Sequence, residues 1–138
     1  MKRTAKAHWA GSVKEGKGEL TTQSEILNKT NYSFKTRFTG EEKGTNPEEL
    51  LAVAHAACFT MAVSHSLTEQ GFEAVSLDTE ATLSMEGFDI TGIHLSITGY
   101  VPGIDEDCFH TITKTAEQNC LISKALKIKI SSESHIAS

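Results

Sequence analysis

The chain has 138 residues, 38% hydrophobic and 22% charged, with a formal net charge of −5. That length suits one domain, since a chain of this size buries roughly two thirds of the surface its unfolded form exposes. The acidic balance disfavours a nucleic-acid partner, whose phosphates would be repelled. Three cysteines, Cys58, Cys108 and Cys120, are too few and odd in number for the disulfide framework of a small secreted domain. The opening segment MKRTAKAHW is basic with no apolar run behind it, and no stretch reaches the ~18 consecutive apolar residues of a membrane span. The expectation is one cytoplasmic domain over residues 1–138, with no membrane partner.

The first forty residues read as strands. Runs at 6–13 and 16–23 are separated by Glu15-Gly16, with Gly16 and Gly18 weakening the second. Tyr32, Phe34, Thr36 and Phe38 then alternate with polar or basic residues, which predicts a half-buried strand with Arg37 on its other face. A polar loop over 39–46 leads to Asn46, Pro47, Glu48 and Glu49: a cap, a first-turn proline and two acids at the positive end of a helix dipole. That helix is predicted from Pro47 to about Glu69, ending before Gly71. Its middle, LLAVAHAACFTMAV, is apolar nearly all round, as in a helix at the centre of a fold.

Two long strands follow. Val75, Leu77, Thr79, Ala81, Leu83 and Met85 share one face, and Ile93, Leu95, Ile97 and Val101 another, with a hairpin at Glu86-Gly87. Pro102-Gly103 ends the second strand. Asp105 is placed to cap a helix over roughly 106–119, with Phe109, Ile112 and Ala116 inward. Cys120 stands just past it, before a short helical piece, and 127–132 alternates as a closing strand. The order is strands, helix, hairpin, helix, strand, an α+β fold.

Any single cysteine is most often a buried filler. Cys58, deep in the apolar helix, would be made inert by burial unless a cation favoured its thiolate. Of Lys35, Arg37 and Lys43, Arg37 is the one on a structured element, and guanidinium offers a fork of donors that can also grip a peroxide oxygen. Glu48 or Glu49 could hold that guanidinium. Glu48 and Cys58 are ten positions apart, which on one straight helix is ~15 Å of rise and ~80° off the same face. Either the helix breaks or the carboxylate comes from a second chain. Once the thiolate has attacked an O–O bond, Cys58 would become a sulfenic acid, and a second thiol would condense with it. Cys120 and Cys108 both qualify; Glu106 and Asp107 beside Cys108 oppose thiolate formation there, and Cys120 sits at a more mobile helix junction.

The stretches AHWAGSVKEGKGEL at 7–20, FKTRFTG at 34–40, GTNPEELLAVAHAACFTMAVS at 44–64, VPGID at 101–105 and the region from Cys120 to Leu126 resemble the OsmC/Ohr peroxidases, within them the osmotically inducible OsmC branch. Together they span nearly the whole chain. The resemblance implies an intertwined homodimer with long central helices side by side, sheets outside and two active sites at the subunit interface. By it, Cys58 matches the peroxidatic cysteine, Cys120 the resolving cysteine, Arg37 the arginine of this branch and Glu48 its carboxylate. It also implies reduction of organic hydroperoxides, some members accepting hydrogen peroxide as well. The disulfide would be reopened by a dithiol such as a lipoyl group, with no metal, haem or flavin. One departure stands out: the family commonly has Cys-Pro-Val-Ser at the resolving site, where this chain reads Cys120-Leu121-Ile122-Ser123. Cys108 lies outside the family pattern.

Three rivals compete with this reading. His55 and Cys58, three apart, share a helix face and could supply two metal ligands. His55 could serve Cys58 as the base of a thiol hydrolase. A non-catalytic dimeric binding protein with a filler cysteine would explain the apolar helix equally well. For a lipid hydroperoxide, Phe59, Met61 and Ile122 are candidates to line an apolar entrance.

Overall fold

A computed structural model describes residues 1–137. Spatial neighbours group the chain into two units that divide between Leu50 and Leu51.

In the first unit, β1 (Ala5–Ala10), β2 (Lys17–Thr22) and β3 (Thr30–Tyr32) form an antiparallel sheet in that order. Gly18 lies opposite both Trp9 and Tyr32. A side chain there would collide with both rings. Its absence lets Trp9 and Tyr32 close over the strand, with centroids 5.4 Å apart. The glycine that weakened the strand pattern is therefore what this aromatic contact requires.

The strand expected over residues 32–38 is not there. β3 stops at Tyr32, and Lys35–Thr39 make a π-helical turn, closed by the Gly40 N–H donating to the Lys35 carbonyl at 2.7 Å. Arg37 is thus on a helical turn, not a strand. Ser33 and Thr36 explain the switch. The Ser33 N–H donates to Thr36 Oγ1 at 2.7 Å, and the Thr36 N–H donates to Ser33 Oγ at 3.2 Å. Such local bonds compete with a ladder. Gly40 then accepts the left-handed conformation (φ 68°) that ends the turn. Phe34 and Phe38, which read as alternate strand positions, are also four apart, and their rings meet at 4.9 Å on the turn.

Helix α1 runs unbroken over Pro47–Glu69. Asn46 Oδ1 accepts from the Glu49 N–H at 2.7 Å, so the predicted cap is the real one. At the far end Gly71 is left-handed (φ 86°) and the Phe72 N–H reaches back to the Leu67 carbonyl. α1 is also long and apolar enough to cross a bilayer, a test that core helices of soluble proteins pass too. It is not apolar and buried all round, as its sequence suggests. His55, Phe59, Val63 and Leu67 are buried, whereas Val53 and Met61 are largely exposed.

In the second unit, β4 (Ser76–Glu86) and β5 (Asp89–Tyr100) form an antiparallel hairpin around Gly87-Phe88, and β6 (Lys129–Ile136) adds to β5 in parallel. A parallel neighbour needs a crossover. Helices α2 (Glu106–Asn119) and α3 (Leu121–Ala125) supply it, and Cys120 is the single residue between them. Asp105 caps α2 by accepting from the Cys108 N–H at 2.7 Å. The core joins Phe59, Val63 and Leu67 of α1 to Ile93, Leu95 and Ile97 of β5 and to Phe109, Ile112 and Ala116 of α2. The architecture is the α+β order expected.

Candidate active site

In the first unit the π-turn and the start of α1 bring Arg37 and Glu48 together. Arg37 Nη2 and Nε both donate to Glu48 Oε1, at 2.7 and 2.8 Å. These are charge-assisted bonds at the short end of their range. The arginine side chain is 43% exposed and that of Glu48 only 13%, so the carboxylate anchors and the guanidinium presents. Phe38 lies beneath the guanidinium, 5.2 Å away. Glu49 is otherwise engaged: its carboxylate accepts from Thr45 Oγ1 and its N–H satisfies Asn46. Of the two acids considered, Glu48 is the partner. Its second oxygen, Oε2, is buried with no hydrogen-bond partner among the described residues.

In the second unit Cys58 and Cys120 are both free thiols, Cys58 half-buried and Cys120 buried. Burial pushes the Cys58 thiol up. The backbone N–H of Ile122, the side chain of Cys120 and the backbone N–H of Leu121 together outweigh that and leave its pKa lowered. No cation is among the causes. Within the described chain, the donors at the start of α3 and the Cys120 side chain are what lower it. Cys120 moves the opposite way. Burial is the largest influence and raises its pKa, and Cys58 raises it further; the Ser123 N–H, the Ser123 hydroxyl and the Ile122 N–H only partly oppose them. One sulfur is biased towards thiolate and its neighbour towards thiol.

Cys108 is not part of this pair. It is half-buried in the first turn of α2, with its sulfur 3.9 Å from Gln70 Oε1. His55 is fully buried, and its Nε2 lies 2.8 Å from Ser123 Oγ. Among the described residues no three His, Cys, Asp or Glu side chains gather as metal ligands. Phe59 is wholly inside the core and lines no entrance, while Met61 is 75% exposed. Three contributors escaped sequence reasoning: the N–H groups of Leu121 and Ile122, and Ser123. The available signal was a short helix starting directly after a cysteine, whose first N–H groups have no intrahelical partner.

Glu48 and Cys58 lie on the same unbroken helix, ten positions and ~15 Å of rise apart. The helix does not break between them.

A family model described as "OsmC-like protein" matches residues 40–134. The chain is 48% identical over 132 residues to the Peroxiredoxin OsmC of Escherichia coli (strain K12), covering 93% of this chain and 92% of that one. It is 32% identical over 113 residues to the Organic hydroperoxide resistance protein OhrB of Bacillus subtilis (strain 168), covering 80% and 82%. The crystal structure of OhrB from Bacillus subtilis superposes with a TM-score of 0.73 at 26% identity, over 97% of this chain and 98% of that one. An OsmC-like protein from Mycoplasma pneumoniae gives 0.74 at 16% identity, covering 100% and 99%, which is a likeness of fold alone.

Proposed function

From the premise that this chain belongs to the OsmC-like family, and is a cysteine-based peroxidase of its OsmC branch, we propose that it reduces organic hydroperoxides to alcohols through Cys58 and Cys120. The observation that carries this reading is the pair of adjacent free thiols with opposed pKa shifts. The Cys58 thiolate attacks the O–O bond, the alkoxide leaves as an alcohol, and Cys58 holds the hydroxyl as a sulfenic acid. Cys120 then displaces that hydroxyl as water and closes a Cys58–Cys120 disulfide. An external dithiol, a lipoyl group by chemical class, reopens it; no bound cofactor takes part.

The guanidinium of Arg37, held by Glu48, polarises the peroxide and stabilises the departing oxygen. In this reading it comes from a second copy of the chain. The unbroken helix keeps Glu48 a long way from Cys58, and a symmetric pair of chains resolves that distance. The exposed apolar and small residues on α1, Val53, Ala57 and Met61, fit two α1 helices packed side by side in a homodimer.

The test is turnover of tert-butyl hydroperoxide, a lipid hydroperoxide and hydrogen peroxide, each with dihydrolipoamide and with a monothiol. Dithiol-dependent consumption of the organic substrates is expected, and Cys58→Ser should lower it at least about 10³-fold, as removal of a nucleophile does. Co-expressing Cys58→Ser with Arg37→Ala tests the shared site. Half of randomly formed dimers are mixed and each has one intact site, so roughly a quarter of wild-type activity should return. No recovery in verified mixed dimers would place both groups in one chain's site.

A further inference from the structure

His55 takes no part in the steps above, yet it is joined to them. It stands on α1 one turn before Cys58 and is fully buried. Nε2 lies 2.8 Å from Ser123 Oγ, and Nδ1 is buried with no partner among the described residues. Ser123 belongs to α3, three residues after Cys120, and its hydroxyl and N–H are among the groups that act on the Cys120 thiol. The Cys120 side chain in turn acts on Cys58, and the two shift each other's pKa in opposite directions. His55 and Ser123 are thus joined by a hydrogen bond, Ser123 lies three residues past Cys120 on the short helix that Cys120 starts, and all four groups belong to the second unit.

We propose that His55 and Ser123 are a proton relay for the resolving step, removing the Cys120 proton as that sulfur attacks oxidised Cys58. The proposal rests on the peroxidase reading and deepens it.

The resolving step has a need that the first step does not. The attacking species is a thiolate, and Cys120 is biased towards the thiol. A base must reach it in a buried place. His55 is suited to that. Burial lowers its pKa, with the field of Glu117 working the other way, so the imidazole is held neutral and able to accept.

In the step, the Cys120 S–H proton passes to Ser123 Oγ while the Ser123 hydroxyl proton passes to His55 Nε2, whose Nδ1 already carries a proton. The freed sulfur pair forms the S–S bond. The S–O bond of the sulfenic acid breaks, and its pair leaves with hydroxide, which takes up a proton to become water. His55 returns to neutral. The balance is one sulfenic acid and one thiol to one disulfide and one water: the Cys120 sulfur is oxidised, the Cys58 sulfur reduced. His55 acts through Ser123 and is a positioning residue.

The experiment follows one turnover of the full-length protein with tert-butyl hydroperoxide, recording sulfenic acid at Cys58 and disulfide closure separately. Wild type is compared with Ser123→Ala, His55→Gln and Ser123→Thr. Sulfenic acid formation is expected within about twofold of wild type in all, while closure slows about 100-fold in Ser123→Ala and His55→Gln, at the lower end of general acid–base effects. Ser123→Thr, which keeps a hydroxyl, should recover most of it. The titratable group that acts on His55 is Glu117 on α2, and Cys58 stands three residues along its own helix. With the relay cut, closure should climb tenfold per pH unit as hydroxide replaces it; with the relay intact it should level off. Should His55→Gln fail to fold, Ser123→Ala decides alone, since it removes one atom from a half-buried position. Closure at the wild-type rate in Ser123→Ala overturns the relay, as does equal slowing of both steps. A wild-type protein that forms no sulfenic acid at Cys58 sinks the peroxidase reading and the relay with it.

Discussion

The residues before Leu50 hold a charge pair; those after it hold a sulfur pair whose pKa values are shifted by burial and hydrogen bonding. Arg37 is fixed by two short bonds to one oxygen of Glu48 and remains 43% exposed. Cys58 is brought below its ordinary pKa by the N–H groups of Ile122 and Leu121 and by Cys120, against the cost of burial. A cation beside a reactive thiol is commonly given two tasks: ionising the sulfur and polarising the substrate. In the proposed reaction the tasks are separable: hydrogen bonds from the start of α3 and from Cys120 begin the first, and the guanidinium is assigned the second.

After loss of the Cys58 sulfur itself, the largest expected effect separates those tasks directly. Arg37→Ala should slow peroxide reduction by about 10²- to 10³-fold, as loss of an electrostatic donor does, yet leave the pH dependence of Cys58 alkylation in place. That alkylation should persist below the ordinary thiol range and fall off only as pH drops through the lowered pKa. A large upward move of its midpoint in Arg37→Ala would show that both tasks belong to the cation. Glu48→Gln, which loosens the guanidinium without removing it, should cost about tenfold in stopped-flow reduction.

A smaller effect on the first turnover is expected from Cys120→Ser. One equivalent of hydroperoxide should be consumed at nearly the wild-type rate, after which Cys58 advances to sulfinic acid, detectable by mass spectrometry. Normal cycling of that variant with dithiols would transfer the resolving role to Cys108 or to an external thiol.

The smallest effect concerns stability. The pKa of His55 is lowered in the folded protein, from an unfolded value of about 6.5. As pH falls through that value the unfolded chain takes up a proton first, so stability declines with acid until the folded pKa is passed. His55→Gln should flatten that part of the urea-midpoint profile. An unchanged profile would assign the acid sensitivity elsewhere.

Much of the fold was written locally. Asn46-Pro47 and Gly71 bounded α1, Asp105 bounded α2, and Glu86-Gly87 placed the hairpin, because each device acts within a few residues of itself. Residues 32–38 misled because Phe34 and Phe38 satisfy period two and also a four-residue helical spacing, and Ser33 with Thr36 decided between them. The site divides the same way. Arg37, Glu48, Cys58 and Cys120 could be named by type and by family resemblance; residue type alone left Glu48 and Glu49 open, the resemblance chose Glu48, and Thr45 and Asn46 engage Glu49 while Glu48 holds Arg37. Ser123 could not be linked to His55 from sequence, since 68 positions separate them and only the crossover brings them together.

The donors that lower the Cys58 pKa include two that belong to no side chain. Almost any codon change at Leu121 or Ile122 leaves an amide hydrogen where it was, so this share of the reactivity is insulated from ordinary mutational drift. Proline is the exception, because its ring nitrogen has no hydrogen to give. The family pattern that the sequence resembles has a proline directly after this cysteine; this chain has Leu121 there and keeps the amide hydrogen.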